Sequence, residues 1–134
     1  MSRKSKGIDA ERELVHKFNN NGWMAVRIAG SGSMKYPSPD ILAGNNIKKI
    51  AIECKTTKSN NKYLTRKEVN ELRQFANIFG VEPWVAVKFT NKDNKNKDWI
   101  FLTLEDLKET DKSFVFEYEK AKLLGLSFEE LIGV

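Results

Sequence analysis

The sequence predicts a mixed α/β domain, a β-sheet flanked by helices, with residues 1–134 as a single unit. Three observations predict it. Apolar residues recur at helical spacing in two segments, short β-compatible runs lie between and after them, and Gly, Pro, Ser and Asn clusters mark the boundaries. A chain of 134 residues with 40% hydrophobic content, three Trp and eight Phe has apolar volume for one core and no room for a second domain.

The first helix runs from about Ile8 to Asn20, with Ile8, Leu14, Val15 and Phe18 on one stripe and Gly22 as its stop. Trp23 to Ile28 reads as a first strand. The stretch from Ala29 to Pro39 is too rich in Gly, Ser and Pro for regular structure and is expected to form a mobile loop that delivers Asp40. Ile41-Leu42-Ala43 is a second short strand, joined through Gly44-Asn45-Asn46 to a third, Lys49 to Lys55. Ser59-Asn60-Asn61 reads as a turn. Thr65-Arg66-Lys67-Glu68 is a capping box that opens a second helix, with Val69, Leu72, Phe75, Ala76 and Phe79 as its stripe and Gly80 as its end. Its outer face includes Arg66, Lys67 and Arg73. Pro83 to Phe89 is a strand, Asn91 to Asp98 an exposed, solvated hairpin loop, and Trp99 to Leu102 the returning strand. A short acidic helix near Leu104 to Lys108, an alternating segment from Phe114 to Tyr118 and a second capping box, Ser127 to Glu130, follow.

Composition narrows the function classes. No apolar stretch reaches spanning length, and the basic N-terminus runs into a polar helical pattern, so neither secretion nor membrane insertion is expected and the protein is placed in the cytoplasm. Cys54 is the single cysteine, which excludes an internal disulfide and a cysteine-rich zinc site; it reads as a buried structural thiol. His16, also alone, reads as a surface residue. The net charge of +5 is segregated: residues 1–104 hold 19 Lys and Arg against 10 Asp and Glu, whereas residues 105–134 hold 4 against 8. A basic face that neutralises phosphates, with an acidic C-terminal region turned away, accounts for this pattern.

Pro39-Asp40 stands ahead of Glu53-Cys54-Lys55, an Asp followed by Glu-x-Lys inside an apolar run. Side chains alternate along a strand, so Glu53 and Lys55 point one way while Ile50, Ile52 and Cys54 point the other. With Asp40 at the start of the neighbouring strand, two carboxylates and a lysine converge. Hard carboxylate oxygens suit Mg²⁺, with Mn²⁺ as a substitute, and the Cys54 backbone carbonyl is placed as a further ligand. Magnesium so held activates water and neutralises charge at phosphorus, while Lys55 orients the water and stabilises phosphorane oxygens. Glu11 is a fourth candidate. At roughly 100° per residue it falls in the middle of an apolar arc of about 120° on the first helix. A carboxylate there either pairs with a cation such as Arg27 or faces a cleft where it binds a metal directly or through water. Ser31 or Ser33 in the small-residue loop can donate to a phosphate.

The chain resembles the archaeal Holliday-junction resolvases of the Hjc and Hje type, within the PD-(D/E)xK nuclease superfamily. The resemblance rests on Ala10-Glu11-Arg12-Glu13-Leu14, Val26-Arg27 before Ser31-Gly32-Ser33, Pro39-Asp40-Ile41, Ile52-Glu53-Cys54-Lys55, Tyr63-Leu64, Val85 to Phe89, and Gly125 to Leu131. It implies a restriction-endonuclease-like fold, a homodimer with one active site per subunit, and Mg²⁺-dependent paired incisions across a four-way DNA junction in recombination and repair. It implies metal binding by Asp40 and Glu53, catalytic roles for Glu11 and Lys55, a loop-serine role for Ser31, and phosphate contacts from Arg12 and Arg27. Arg3, Lys4, Lys6, Lys35 and Arg66 complete the candidate DNA contacts, with Lys92, Lys95 and Lys97 as further candidates. The apolar face of the second helix, with Phe114 and Phe116, is the expected dimer surface, and a sliding clamp or branch-migration helicase is a candidate accessory partner. Two rival readings are a nuclease acting on duplex or flapped DNA and a DNA-binding module without activity.

Overall fold

A computed structural model describes residues 3–90 and 98–134. The side chains of Arg3 and Lys4, and the Asn91 to Asp98 loop with Lys92, Lys95 and Lys97 up to residue 97, lie outside the described residues. The elements, in chain order, are α1 (Arg3–Asn19), β1 (Met24–Arg27), β2 (Ile41–Gly44), β3 (Lys49–Thr57), β4 (Asn61–Thr65), α2 (Arg66–Phe79), β5 (Glu82–Phe89), β6 (Trp99–Thr103), β7 (Lys108–Glu109), β8 (Ser113–Glu117), α3 (Tyr118–Leu124) and α4 (Phe128–Ile132).

A mixed five-stranded sheet runs β1-β2-β3-β5-β6, with β3 and β5 parallel and the other neighbours antiparallel. The parallel pair needs a long crossover, and β4 with α2 supplies it. A second, antiparallel sheet runs β4-β8-β7. Side-chain alternation along β3 and β5 sorts the apolar residues into two layers. Ile50, Ile52, Trp84 and Ala86 pack with Ala10, Leu14 and Phe18 of α1 and with Phe128 and Leu131 of α4. Ala51, Val85, Val87 and Phe89 pack on the other side with Val69 and Leu72 of α2, Phe114 and Phe116 of β8, and Ala121 of α3.

The expected α/β class and its sheet are present, and several local expectations are corrected. The first helix begins at Arg3 rather than near Ile8. Hydrophobic periodicity cannot see a polar extension, and a helix already nucleated propagates through such residues cheaply, Gly7 costing about 1 kcal/mol. The loop after β1 contains a 3-10 turn at Ser31–Ser33, with Gly30 in the left-handed conformation at φ 71°. The β2–β3 turn spans Asn45 to Lys48, closed by the Asn45 side chain accepting from the Ile47 and Lys48 amides. Asn61 opens β4 rather than ending a turn. This strand buries only Leu64 and pairs with β8, so its identity depends on residues far along the chain. The expected acidic helix near Leu104 to Lys108 shrinks to a 3-10 turn, Leu104–Asp106, with Lys108 in β7. Phe114, Val115 and Phe116 are all buried rather than alternating, because β8 is the central strand of the small sheet. Phe114 and Phe116, like Val69, Leu72 and Ala76 on the apolar face of α2, are therefore core residues, not a dimer surface. Both capping boxes form as expected, at Thr65 and Glu68 and at Ser127 and Glu130.

Candidate active site

The site forms where β3 outruns its neighbour. β2 pairs with β3 only as far as Ile41 opposite Ile52, and β3 continues to Thr57 with β5 alone on its other side. The Asp40 backbone bridges the last step: its amide donates to the Ile52 carbonyl at 3.0 Å, and its carbonyl accepts from the Ile28 amide at 2.8 Å. Beyond it, the Asp40 side chain replaces the missing strand. Asp40 Oδ2 accepts from the Cys54 amide at 2.8 Å, and Asp40 Oδ1 accepts from Ser31 Oγ at 2.7 Å. Ser31 is thus the loop serine that reaches the site, while Ser33 Oγ turns back to the Gly30 carbonyl at 3.1 Å. Because the amide and carbonyl of one strand residue point to the same side, the Cys54 carbonyl shares the open edge with Asp40.

Glu53 follows on β3, with Lys55 Nζ 3.6 Å from its Oε1. Burial, the Asp40 charge, Glu68 and a hydrogen bond shared with the Asp40 carboxyl push Glu53 up to about 9 against the pull of Lys55. Glu11, on α1, is pushed up to about 7 by burial and the Asp40 charge, with Arg27 and Lys55 opposing. Among the described residues Glu11 forms no ion pair, so the salt bridge to Arg27 is not realised and Arg27 only opposes the upward shift from a distance. Burial and the charges of Asp40, Glu11 and Glu53 also raise the Cys54 thiol well above its usual range. It packs partly buried against the α1 layer, as a structural thiol should.

Sequence reasoning missed one member of the cluster. Glu68, read only as the third residue of a capping box, turns one carboxylate oxygen onto Lys55 Nζ while the other accepts from the Thr65 amide at 2.9 Å. Burial lowers the Lys55 pKa, but the hydrogen bond to Glu68 and the charges of Glu53, Glu68 and Asp40 outweigh it and raise the net value. The Glu68 pKa moves down, its burial overcome by hydrogen bonds from Lys55 and Thr65. The capping box was the only available signal, and it does not reveal where the second oxygen points.

The structure brings Ser31, Asp40, Glu53, Lys55 and the Cys54 backbone together and sets Glu11 within reach of their charge. Among the described residues, no three His, Cys, Asp or Glu side chains form a ready-made ion cage. The donor set nonetheless fits a hard divalent cation. The Asp40 charge beside the buried Glu53 carboxyl, with a backbone carbonyl at the same edge and no soft ligand turned inward, is a repulsion that a hard cation would relieve. Of the expected DNA contacts, Lys6, Arg12 and Lys35 are exposed, Lys35 lying 5.6 Å from the Tyr36 ring centroid, and Arg27 is half-buried near Glu11. Arg66 is engaged elsewhere: it pairs with Glu109, donates to the Thr110 and Asp111 carbonyls and lies over the Phe114 ring.

Comparison with known proteins gives concordant results. The family model for "Archaeal holliday junction resolvase (hjc)" matches residues 2–134. The chain is 40% identical over 130 residues to the crossover junction endodeoxyribonuclease Hjc of Archaeoglobus fulgidus, covering 97% of this chain and 91% of that one. It is 34% identical over 131 residues to the crossover junction endodeoxyribonuclease Hje of Saccharolobus islandicus, covering 94% of each. The structure of Archaeoglobus fulgidus Hjc, described as a Holliday junction resolvase from an archaeal hyperthermophile, superimposes with a TM-score of 0.85 at 36% identity, covering 95% of this chain and 100% of that one.

Proposed function

The chain belongs to the archaeal Holliday junction resolvase (Hjc) family, and we propose that it is a structure-selective endonuclease that resolves four-way DNA junctions by paired, divalent-metal-dependent phosphodiester hydrolysis. Mg²⁺ is the proposed ion, Mn²⁺ its substitute, and recombination and repair in the cytoplasm the proposed setting. The observation that carries the reading is the convergence of Asp40, anchored by the Cys54 amide and Ser31, with Glu53 and Lys55 at the open edge of β3. Asp40, Glu53 and the Cys54 carbonyl would hold the ion, with Glu11 contributing through water.

A bound divalent cation supplies charge neutralisation at phosphorus and a more acidic water. The protein's own groups do the rest. Ser31 and the Cys54 amide fix the Asp40 carboxylate in one orientation, so it needs no rearrangement when the substrate arrives. Glu11, poised near 7, accepts the proton of the attacking water at a carboxylate oxygen. The Lys55 ammonium donates to the non-bridging phosphate oxygens as charge builds on them. Arg12, Lys6 and Lys35 face solvent and are proposed to neutralise phosphates of the junction arms, together with Arg27 at the site; shape and backbone contact, not base reading, select the branched substrate.

Paired cuts call for two centres, and a C₂ homodimer supplies them. With Phe114 and Phe116 in the core, the proposed dimer surface is the exposed apolar patch where Met24 and Val26 of β1 meet Phe79 at the end of α2. The function is tested by incubating the protein with equimolar four-way junction and linear duplex, in Mg²⁺ and in EDTA. Metal-dependent paired nicking of the junction alone is expected; equal cutting of duplex would support a general nuclease, and binding without cleavage a DNA-binding module. Asp40→Asn and Glu53→Gln should abolish cleavage while junction binding persists in a gel-shift assay; full activity in either variant would overturn the site assignment.

A further inference from the structure

A capping box usually serves its own helix, and both of its side-chain hydrogen bonds close on the backbone of the first turn. At the N-terminus of α2 the box is complete: the Thr65 hydroxyl accepts from the Glu68 amide at 3.0 Å, and Glu68 Oε1 accepts from the Thr65 amide at 2.9 Å. Glu68 Oε2 is not needed for the cap. It accepts from Lys55 Nζ, the ammonium that also stands 3.6 Å from Glu53 Oε1. The helix that carries Glu68 is pinned by the burial of Val69, Leu72 and Ala76. The side chains of Glu53, Lys55 and Glu68 are 15%, 23% and 29% exposed, so solvent only partly screens them.

We propose that Glu68 is a positioning residue that draws the Lys55 ammonium away from Glu53, keeping the Glu53 carboxylate free to take a divalent cation. This rests on the assignment of Asp40 and Glu53 as ion ligands. A lysine side chain is a flexible point charge that settles on the nearest carboxylate. With Glu68 present, Lys55 lies closer to Glu68 than to Glu53. Without the Glu68 charge, Glu53 is the carboxylate left beside Lys55, and an ammonium paired there competes with a cation for the same oxygens. The position of α2 is thereby linked to the readiness of the site.

Glu68→Gln is the informative change, because glutamine at this position still accepts from the Thr65 amide and keeps the helix cap. The test is titration calorimetry with Mn²⁺ alone, on the full chain, in a double-mutant cycle with Lys55→Ala. In the native background Glu68→Gln should weaken Mn²⁺ binding by about tenfold, the size expected for a group that supports a metal ligand. In the Lys55→Ala background the same change should alter binding by less than about twofold, because the competing ammonium is gone. An equal loss in both backgrounds would mean that Glu68 acts only as a nearby negative charge, and no loss in the native background would mean that it only caps α2; either result overturns the proposal. Thr65→Ala, which breaks the cap but leaves the Lys55–Glu68 pair, should lower the melting temperature and leave Mn²⁺ affinity within about twofold of wild type; an affinity loss matching that of Glu68→Gln would again overturn it. These measurements need no cleavage. If Mn²⁺ binds as expected while the junction stays uncut, the nuclease reading fails and the positioning role stands.

Discussion

Burial and the neighbouring Asp40 charge make Glu53 and Glu11 reluctant to ionise, so the charge state of the site depends on what occupies it. Glu53, pushed up to about 9, and Glu11, pushed up to about 7, both sit above the ordinary carboxylate value of 4.5. The native protein therefore holds protons that the unfolded chain releases as pH rises past about 4.5. The stability these groups contribute is present in full at lower pH and is lost as pH rises through about 7 for Glu11 and about 9 for Glu53. Melting temperatures in EDTA should show that decline. Glu53→Gln, which cannot ionise, should remove the alkaline part of it and stabilise the metal-free protein at pH 9 by on the order of a few kcal/mol. Divalent cation should reverse the trend, its stabilisation growing with pH as protons yield the site. Ser31→Ala, which removes the 2.7 Å hydrogen bond to Asp40, should slow junction cleavage by about 10- to 100-fold without changing junction affinity, as single-turnover rates and gel shifts would report.

At the level of elements, the crossover from β3 through β4 and α2 to β5 does two jobs. It closes the second apolar layer, and it sets the first turn of α2 against Lys55. Helix caps were legible because their chemistry is local: Thr65 with Glu68 and Ser127 with Glu130 lie within one turn. The strand β4 was not, since Asn61-Lys62-Tyr63-Leu64-Thr65 buries one residue and takes its partner from β8. Close packing between elements makes a further prediction at Gly125, in the link from α3 to α4 just before Leu126 bridges to Phe101 of β6. A Cβ there would lie 2.6 Å from the Ala121 carbonyl oxygen and 2.7 Å from Ile100 Cγ2. Because the first of these is backbone and cannot rotate away, Gly125→Ala should cost about 1–3 kcal/mol in denaturant unfolding, with little change in the active-site geometry.

For the whole molecule, the excess of Lys and Arg over residues 1–104 and of Asp and Glu over residues 105–134 is a charge asymmetry written in the order of the residues. Junction binding should follow it: affinity should fall steeply between 50 and 200 mM salt, by about 10³- to 10⁵-fold if six to ten phosphates are contacted. A salt-insensitive affinity would disconnect binding from the basic face. The apolar patch of Met24, Val26 and Phe79 bears on assembly. Phe79 is 62% exposed at the C-terminal end of α2, so Phe79→Glu should leave the fold intact while sedimentation shows a shift from dimer to monomer. Unchanged sedimentation would overturn the assignment of this patch to a dimer surface.

The sequence by itself determined the α/β class, the helix boundaries that carry caps, and the convergence of Asp40, Glu53 and Lys55, because periodicity, capping and strand alternation act within a few residues. The misplaced charge of Glu11 was legible for the same reason. Only the tertiary structure decided that Ser31 rather than Ser33 holds Asp40, that Lys55 is shared between Glu53 and Glu68, and that Phe114 and Phe116 belong to the core. Each of these depends on which distant segment packs alongside, and contacts between segments far apart in the chain leave no periodic trace in either of them.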